Sequence, residues 1–239
     1  MTAHGTAHDA DTLRHLHPAA ILAWAVETFR DRVAMTISFG GPGVVLAHLL
    51  SRIDRTVPVI FLDTGLLFEE TYAFRQRFAE RYGLHVIDER PTEDPGPLYE
   101  TEPDRCCTIR KVEPMARALA GHDAWVSAIR RDQGESRRDV EVVEHHEVDG
   151  RPLVKVHPLA HWDRATVWRY IVEHEIPYHP LLDRGYTSLG CWPCTRRTQA
   201  GEGERAGRWS GRAKTECGLH TFTARASAPA TTSLTEARP

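Results

Sequence analysis

Two cysteines are adjacent, Cys106 and Cys107, and two more, Cys191 and Cys194, form the C-x-x-C of CWPC. The fifth, Cys217, stands apart in KTECGLH (214–220). An odd count argues against a disulfide framework and for metal binding or catalysis. Four thiolates suit zinc or an iron–sulfur cluster, and CWPC alone suits a redox disulfide. Adjacent ligands are unusual for structural zinc, whose paired ligands are usually separated by about two to four residues. Residue type and spacing leave zinc and iron–sulfur both open. Cys217 has no apolar neighbours to bury it, whereas Lys214 and His220 flank it and Arg212 is close. Cations favour the thiolate, the reactive form, with Glu216 acting the other way. These neighbours suit a nucleophile.

An anion site is the second feature. Residues 33–39, VAMTISF, alternate bulky and small side chains as a strand does, and GGPG (40–43) then opens a helical pattern, VVLAHLLSRI. A Gly-rich turn between strand and helix presents N–H groups and a positive dipole end to an anion. No lysine follows as a P-loop requires. The next strand, VPVIFLDTG (57–65), ends in Asp63 and Thr64, which can reach the same crevice or simply cap a helix. Basic residues gather at 110–111, 129–138 and 196–214, although the net charge is −3. Arginine forks bind phosphate or sulfate. The overall charge and the scarcity of aromatics among the 196–214 cations argue against nucleic acid.

The elements that must hold these residues alternate. Strands are expected at 33–39, 57–65, 84–88 and 124–129, with helices after the first two and over 112–119, where Pro114 should kink the start or begin a fresh turn. Shorter strands fall at 140–148 and 153–159, and a helix at 167–174. The βαβαβ order argues for an α/β fold built on an open, mostly parallel sheet with helices on both faces. Residues 1–18 read as a loose lead-in; four histidines there (His4, His8, His15, His17) match no metal spacing. Residues 224–239 have the composition of a disordered tail. Neither a signal peptide nor an 18-residue apolar run occurs, so no membrane partner and a cytoplasmic location are expected.

Taken together, SFGG (38–41), LDTGLLFEETYAF (62–74), CCTIRKVEP (106–114), WVSAIRRDQGESR (125–137), GCWPCTR (190–196), Arg205 with Arg208, and KTECGLH resemble the assimilatory adenylyl-sulfate reductases, and more loosely the phosphoadenylyl-sulfate reductases. The resemblance spans 33–220. It implies an adenine nucleotide α-hydrolase-like domain over 19–195 and a mobile catalytic segment over 196–223. It implies a 4Fe–4S cluster on Cys106, Cys107, Cys191 and Cys194, and Cys217 as the nucleophile. Ser38, Gly41 and Asp63 would contact the nucleotide. Lys111, Arg137, Arg205, Arg208 and His220 would hold the phosphosulfate or surround the nucleophile. Thioredoxin or a similar dithiol is the implied reductant and adenylyl sulfate the substrate; homo-oligomerisation is left open. The loop SFGGPG departs from the common SFSGAED, with Gly40 replacing a serine, and Ala128 stands where glycine is usual. The alternatives are reduction of 3′-phosphoadenylyl sulfate, an ATP-pyrophosphatase-type RNA-thiolating enzyme, and a zinc module.

Overall fold

The computed structural model describes residues 10–225. The lead-in histidines His4 and His8 and the tail beyond 225 lie outside the described residues. His17 Nδ1 accepts from Ala19 N–H at 3.2 Å and caps the helix it precedes.

Among the described residues seven strands form one sheet in the order β3-β2-β1-β4-β6-β5-β7. They are β1 Val33–Ile37, β2 Val59–Leu62, β3 Val86–Glu89, β4 Ala124–Val126, β5 Val143–Val148, β6 Arg151–Val156 and β7 Ala224–Arg225. The first four and β6 pair in parallel; β5 runs antiparallel to both β6 and β7. The chain leaves β1 toward β2 on one side and returns to β4 on the other. The sheet therefore has a switch point at the β1/β4 boundary, where the carboxyl ends of the strands leave a crevice.

Among the described residues the eight α-helices are α1 Ala10–Leu13, α2 Pro18–Phe29, α3 Gly41–Ile53, α4 Glu69–Tyr82, α5 Leu98–Thr101, α6 Pro103–Cys107, α7 Glu113–Leu119 and α8 Arg164–Glu173. The period-two pattern of β1 has its expected consequence. Val33, Met35 and Ile37 enter a large core shared with α2, α3, α4 and α8, while Ala34 faces a smaller one with Met115 and Leu119 of α7. Small residues on the second face let α7 approach. Gly83 ends α4 in the left-handed conformation, as the sequence suggests.

The strands expected at 33–39, 57–65, 124–129 and 153–159 end early, at Ile37, Leu62, Val126 and Val156. After Val126 the chain lines the crevice with Ser127, Ala128 and Ile129. Pro114 falls in the first turn of α7, as expected, where its missing N–H costs little. A π-helical turn, Thr108–Val112, joins α6 to α7. Residues 224–225, expected in the tail, pair with β5 and tie down the chain after Cys217.

Candidate active site

A cavity of about 210 Å³ opens at the switch point. Its floor is the ends of β1 and β2, with Thr36, Ser38 and Leu62, and the stretch after β4, Ser127–Ile129. One rim is the Gly40–Gly43 turn. Phe39 takes a left-handed conformation (φ 57°) to make that turn. Its ring is fully buried, 5.5 Å from the Phe61 ring, and this packing holds the strain in place. Gly43 sits tight under the turn, since a Cβ there would lie 3.3 Å from Ile37 Cγ1.

The opposite rim is cationic. Lys111, Arg137, Arg205 and Arg208 line the cavity together with Cys217 and His220. Residues spread over more than a hundred positions thus meet at one place, with Ser38 and Gly41 across from them. Asp63 does not join them. Its carboxylate accepts from the Tyr72 hydroxyl at 2.6 Å, Gly65 N–H at 3.0 Å and Arg90 at 2.8 Å, behind the strand end. It braces the LDTG turn and is not among the residues that line this cavity.

The Cys217 segment is tied at both sides. Lys214 pairs with Asp104 of α6. Downstream, the His220 ring stacks on Trp125 at 5.2 Å and 9°, and Lys155 Nζ donates to the His220 carbonyl at 3.0 Å. Burial beside Arg137 and Lys155 holds His220 well below its usual pKa, so it is a neutral ring at the cavity wall. Between these ties Glu216 meets Arg137 and Arg205. Burial alone would raise the Glu216 pKa, but the two guanidinium groups more than offset it and lower it.

A second, smaller cavity lies against the first. Cys106, Cys107, Cys191 and Cys194 all line it, and none is in a disulfide. The helix puts Arg110 and Lys111 one turn beyond Cys106 and Cys107, so thiols and cations share a face. Pro193 starts the 3-10 turn Trp192–Cys194 that presents the other pair. Thr64 Oγ1 lies 3.3 Å from Cys191 Sγ. Burial pushes the Cys107 thiol up to about 11. At Cys191 burial also acts upward, but Lys111, Thr64 and Arg208 together bring it below its usual value. Among the described residues no three His, Cys, Asp or Glu side chains converge as they would around a single ion. Three buried donors at this cavity, Arg110 Nε, Arg208 Nε and Trp209 Nε1, have no hydrogen-bond partner among the described residues.

Lys111, Arg208 and Trp209 line both cavities and form the wall between them. Trp209 escapes sequence reasoning, where it counts only as a lone aromatic. It is buried, with Arg208 4.5 Å, Lys214 5.7 Å and Arg205 5.9 Å from its ring. An aromatic set inside an Arg/Lys run was the available signal. Arg130 and His157 were also missed. Arg130 is fully buried against Glu204 and Asp132, and the His157 ring holds Ser127 Oγ at 2.8 Å at the cavity floor.

A glycine turn at a sheet switch point, a patch of cations and a lone thiol among them define a nucleotide-binding α/β protein equipped for sulfur chemistry. The phosphoadenosine phosphosulfate reductase domain matches residues 32–197. The adenosine 5′-phosphosulfate reductase of Bacillus velezensis is 44% identical over 210 residues, 84% of this chain and 89% of that one. That of Salinibacter ruber is 42% identical over 213 residues, 85% of this chain and 84% of that one. A crystal structure of phosphoadenylyl-sulfate reductase from Candida auris in complex with phosphate superposes with a TM-score of 0.70 at 32% identity, over 82% of this chain and 98% of that one. The chain belongs to the phosphoadenosine phosphosulfate reductase family, with the adenine nucleotide α-hydrolase-like fold.

Proposed function

We propose that this protein reduces adenylyl sulfate to sulfite and AMP in assimilatory sulfate reduction. The observation that carries the reading is the presence of Cys217 in one cavity with the glycine turn and four cations. The curated relatives at 42–44% identity, named for the adenylyl substrate, favour it over the 3′-phosphorylated one.

The glycine turn and Ser38 receive the nucleotide, and Lys111, Arg205 and Arg208 hold the phosphosulfate. The Cys217 thiolate attacks the sulfate sulfur. An S–S bond forms, the S–O bond to phosphate breaks with its electron pair on the phosphate oxygen, and AMP leaves. Lys111, Arg205 and Arg208 stabilise the charge that grows on that oxygen. A thiolate of a dithiol protein such as thioredoxin then attacks Cys217 Sγ. Sulfite leaves with the pair of the broken S–S bond, its sulfur reduced by two electrons. The second thiol resolves the mixed disulfide and restores Cys217. The segment 196–223 is the catalytic segment, and it must expose Cys217 for this exchange. A cytoplasmic location suits such a reductant, and no described helix is long and apolar enough to cross a membrane.

The four-cysteine cavity suits a 4Fe–4S cluster. Thiols that share a cavity without converging on one ion fit a group that spreads its ligands over several irons. The unpartnered N–H donors of Arg110, Arg208 and Trp209 suit its sulfur atoms. Cys106, Cys107, Cys191 and Cys194 would hold it, and it would supply negative charge beside Lys111 rather than electrons. Sulfite release with a dithiol reductant, measured against both nucleotides, tests the proposal. Preference for adenylyl sulfate by an order of magnitude or more is expected. A comparable preference for the 3′-phosphorylated form overturns the substrate, and no sulfite from either overturns the activity.

A further inference from the structure

The resemblance treats Arg137 as one more cation around substrate and nucleophile, and it leaves Glu216 without a task. Their geometry assigns both a different one. Arg137 Nε donates to Glu216 Oε1 at 2.7 Å and Nη2 to Oε2 at 2.9 Å, a two-pronged pair. Its remaining nitrogen, Nη1, donates to Gln133 Oε1 at 2.6 Å. Every nitrogen of Arg137 thus has a protein partner before any ligand arrives. The same carboxylate takes the Ser136 hydroxyl at 3.0 Å and Arg205 Nη2 at 3.1 Å, and that Arg205 nitrogen also donates to the Thr215 carbonyl at 3.1 Å.

Arg205 keeps its Nε and Nη1 uncommitted among the described residues, and Arg208 its Nη2. The cations therefore divide into two kinds. Arg205 and Arg208 keep nitrogens with no protein partner among the described residues, whereas Arg137 has turned its fork to Glu216 and keeps only the second N–H of each Nη. Glu216 immediately precedes Cys217, and Gly218 immediately follows it in a left-handed conformation (φ 87°). The outer ties, Lys214 to Asp104 and His220 to Trp125, leave 215–219 between them. Within that interval the side chain bound to the cavity wall by charge is Glu216.

We propose that Glu216 is a positioning residue that seats Cys217 in the cavity, and that Arg137 serves the reaction through Glu216 rather than by holding substrate. The assignment rests on the reading of Cys217 as the nucleophile. Letting go of the Arg137 fork and the Ser136 hydroxyl would free Cys217 to meet the reductant, so one contact set governs both positions of the thiol.

The test uses the purified full chain and the variants Glu216→Gln, Arg137→Met and Ser136→Ala. Two quantities are read. One is the iodoacetamide alkylation rate of Cys217 without nucleotide, followed on its peptide. The other is the single-turnover rate of Cys217 sulfonation at rising adenylyl sulfate. Loss of a charge-assisted fork should raise the alkylation rate about tenfold or more in Glu216→Gln and Arg137→Met. In both, the saturating sulfonation rate should fall at least about tenfold while the half-saturating concentration stays within about threefold, since a transition-state contact and not ground-state binding is lost. The double variant should be no worse than either single one. Ser136 is exposed, so its substitution does not threaten the fold, and losing one hydroxyl bond should raise alkylation about two- to fivefold. The proposal is overturned if Arg137→Met raises the half-saturating concentration tenfold or so with its rate retained, which is the signature of direct substrate binding. It is also overturned if Glu216→Gln leaves alkylation unchanged. Should native protein fail to sulfonate, the functional reading falls, and the alkylation arm still judges the seat.

Discussion

Gly190 precedes Cys191 and lines the nucleotide cavity. A Cβ added there would overlap Nη1, Nη2 and Cζ of Arg208. Gly190→Ala should therefore evict the guanidinium from the wall between the two cavities. Arg208 would lose its bond from Nη1 to the Leu189 carbonyl, 2.8 Å, and its place 4.5 Å from the Trp209 ring. The first is worth about 1.5–3 kcal/mol and the second about 0.5–2 kcal/mol, so stability should fall by roughly 2–5 kcal/mol. The chemical step should lose more than a fold-wide defect predicts. Removing one donor aimed at developing charge costs about 10²–10³ in rate. Denaturant unfolding and single-turnover sulfonation measure the two effects. Arg208→Ala should match Gly190→Ala in rate, and the double variant should be no slower, because both remove the same cation. Gly203 supplies the control, as a Cβ there meets nothing within 4 Å. If Gly190→Ala sulfonates within about threefold of the native rate, the assignment of Arg208 to the reacting phosphosulfate is wrong.

Three further outcomes are expected. Cys217→Ser should bind AMP with native affinity in calorimetry yet release no sulfite; persistent release would place the nucleophile elsewhere. Cys191→Ser should lower iron and acid-labile sulfide in anaerobically purified protein, and a colourless, zinc-loaded native protein would contradict the cluster. Acid should destabilise the fold through His179, which is fully buried, accepts Leu181 N–H at Nδ1 (3.2 Å) and donates from Nε2 to Thr71 Oγ1 (3.0 Å). Burial pushes its pKa down to about 4, so from pH 6.5 downward only the unfolded chain takes up the proton. The contribution lost by pH 4 is about 3 kcal/mol. His179→Gln should flatten that part of the stability profile in urea melts across pH 4–7, and an unchanged slope would refute it.

The elements legible in the sequence were those with strong local signals. Alternation in 33–39 and the continuous run at 57–62 reported strands buried on both faces, and Gly83 marked the end of α4. Cys106, Cys107, Cys191 and Cys194 were recognisable as a set by type, and they do share a cavity. What stayed hidden depends on contacts distant in sequence. Helix α2 lacks a sharp polar face because its apolar residues meet the core from α3 and β1, and it went unassigned. Asp63 sits at a strand end in register with the crevice, but Tyr72 and Arg90, each supplied by a later element, turn its carboxylate away. Glu216 looked like a charge opposing the thiolate; only the fold brings Arg137 and Ser136 to it. Strand β7 is two residues long and exists because β5 offers an edge.

The central claim is that Cys217 takes the sulfonate from an adenylyl nucleotide. Intact-mass spectrometry after mixing the reductant-free protein with adenylyl sulfate tests it most directly. A gain of ~80 Da, located on the Cys217 peptide and removed by a dithiol, is the expected result for SO₃ on a nucleophilic cysteine. An unmodified Cys217, or the same gain on any other residue, would contradict the account.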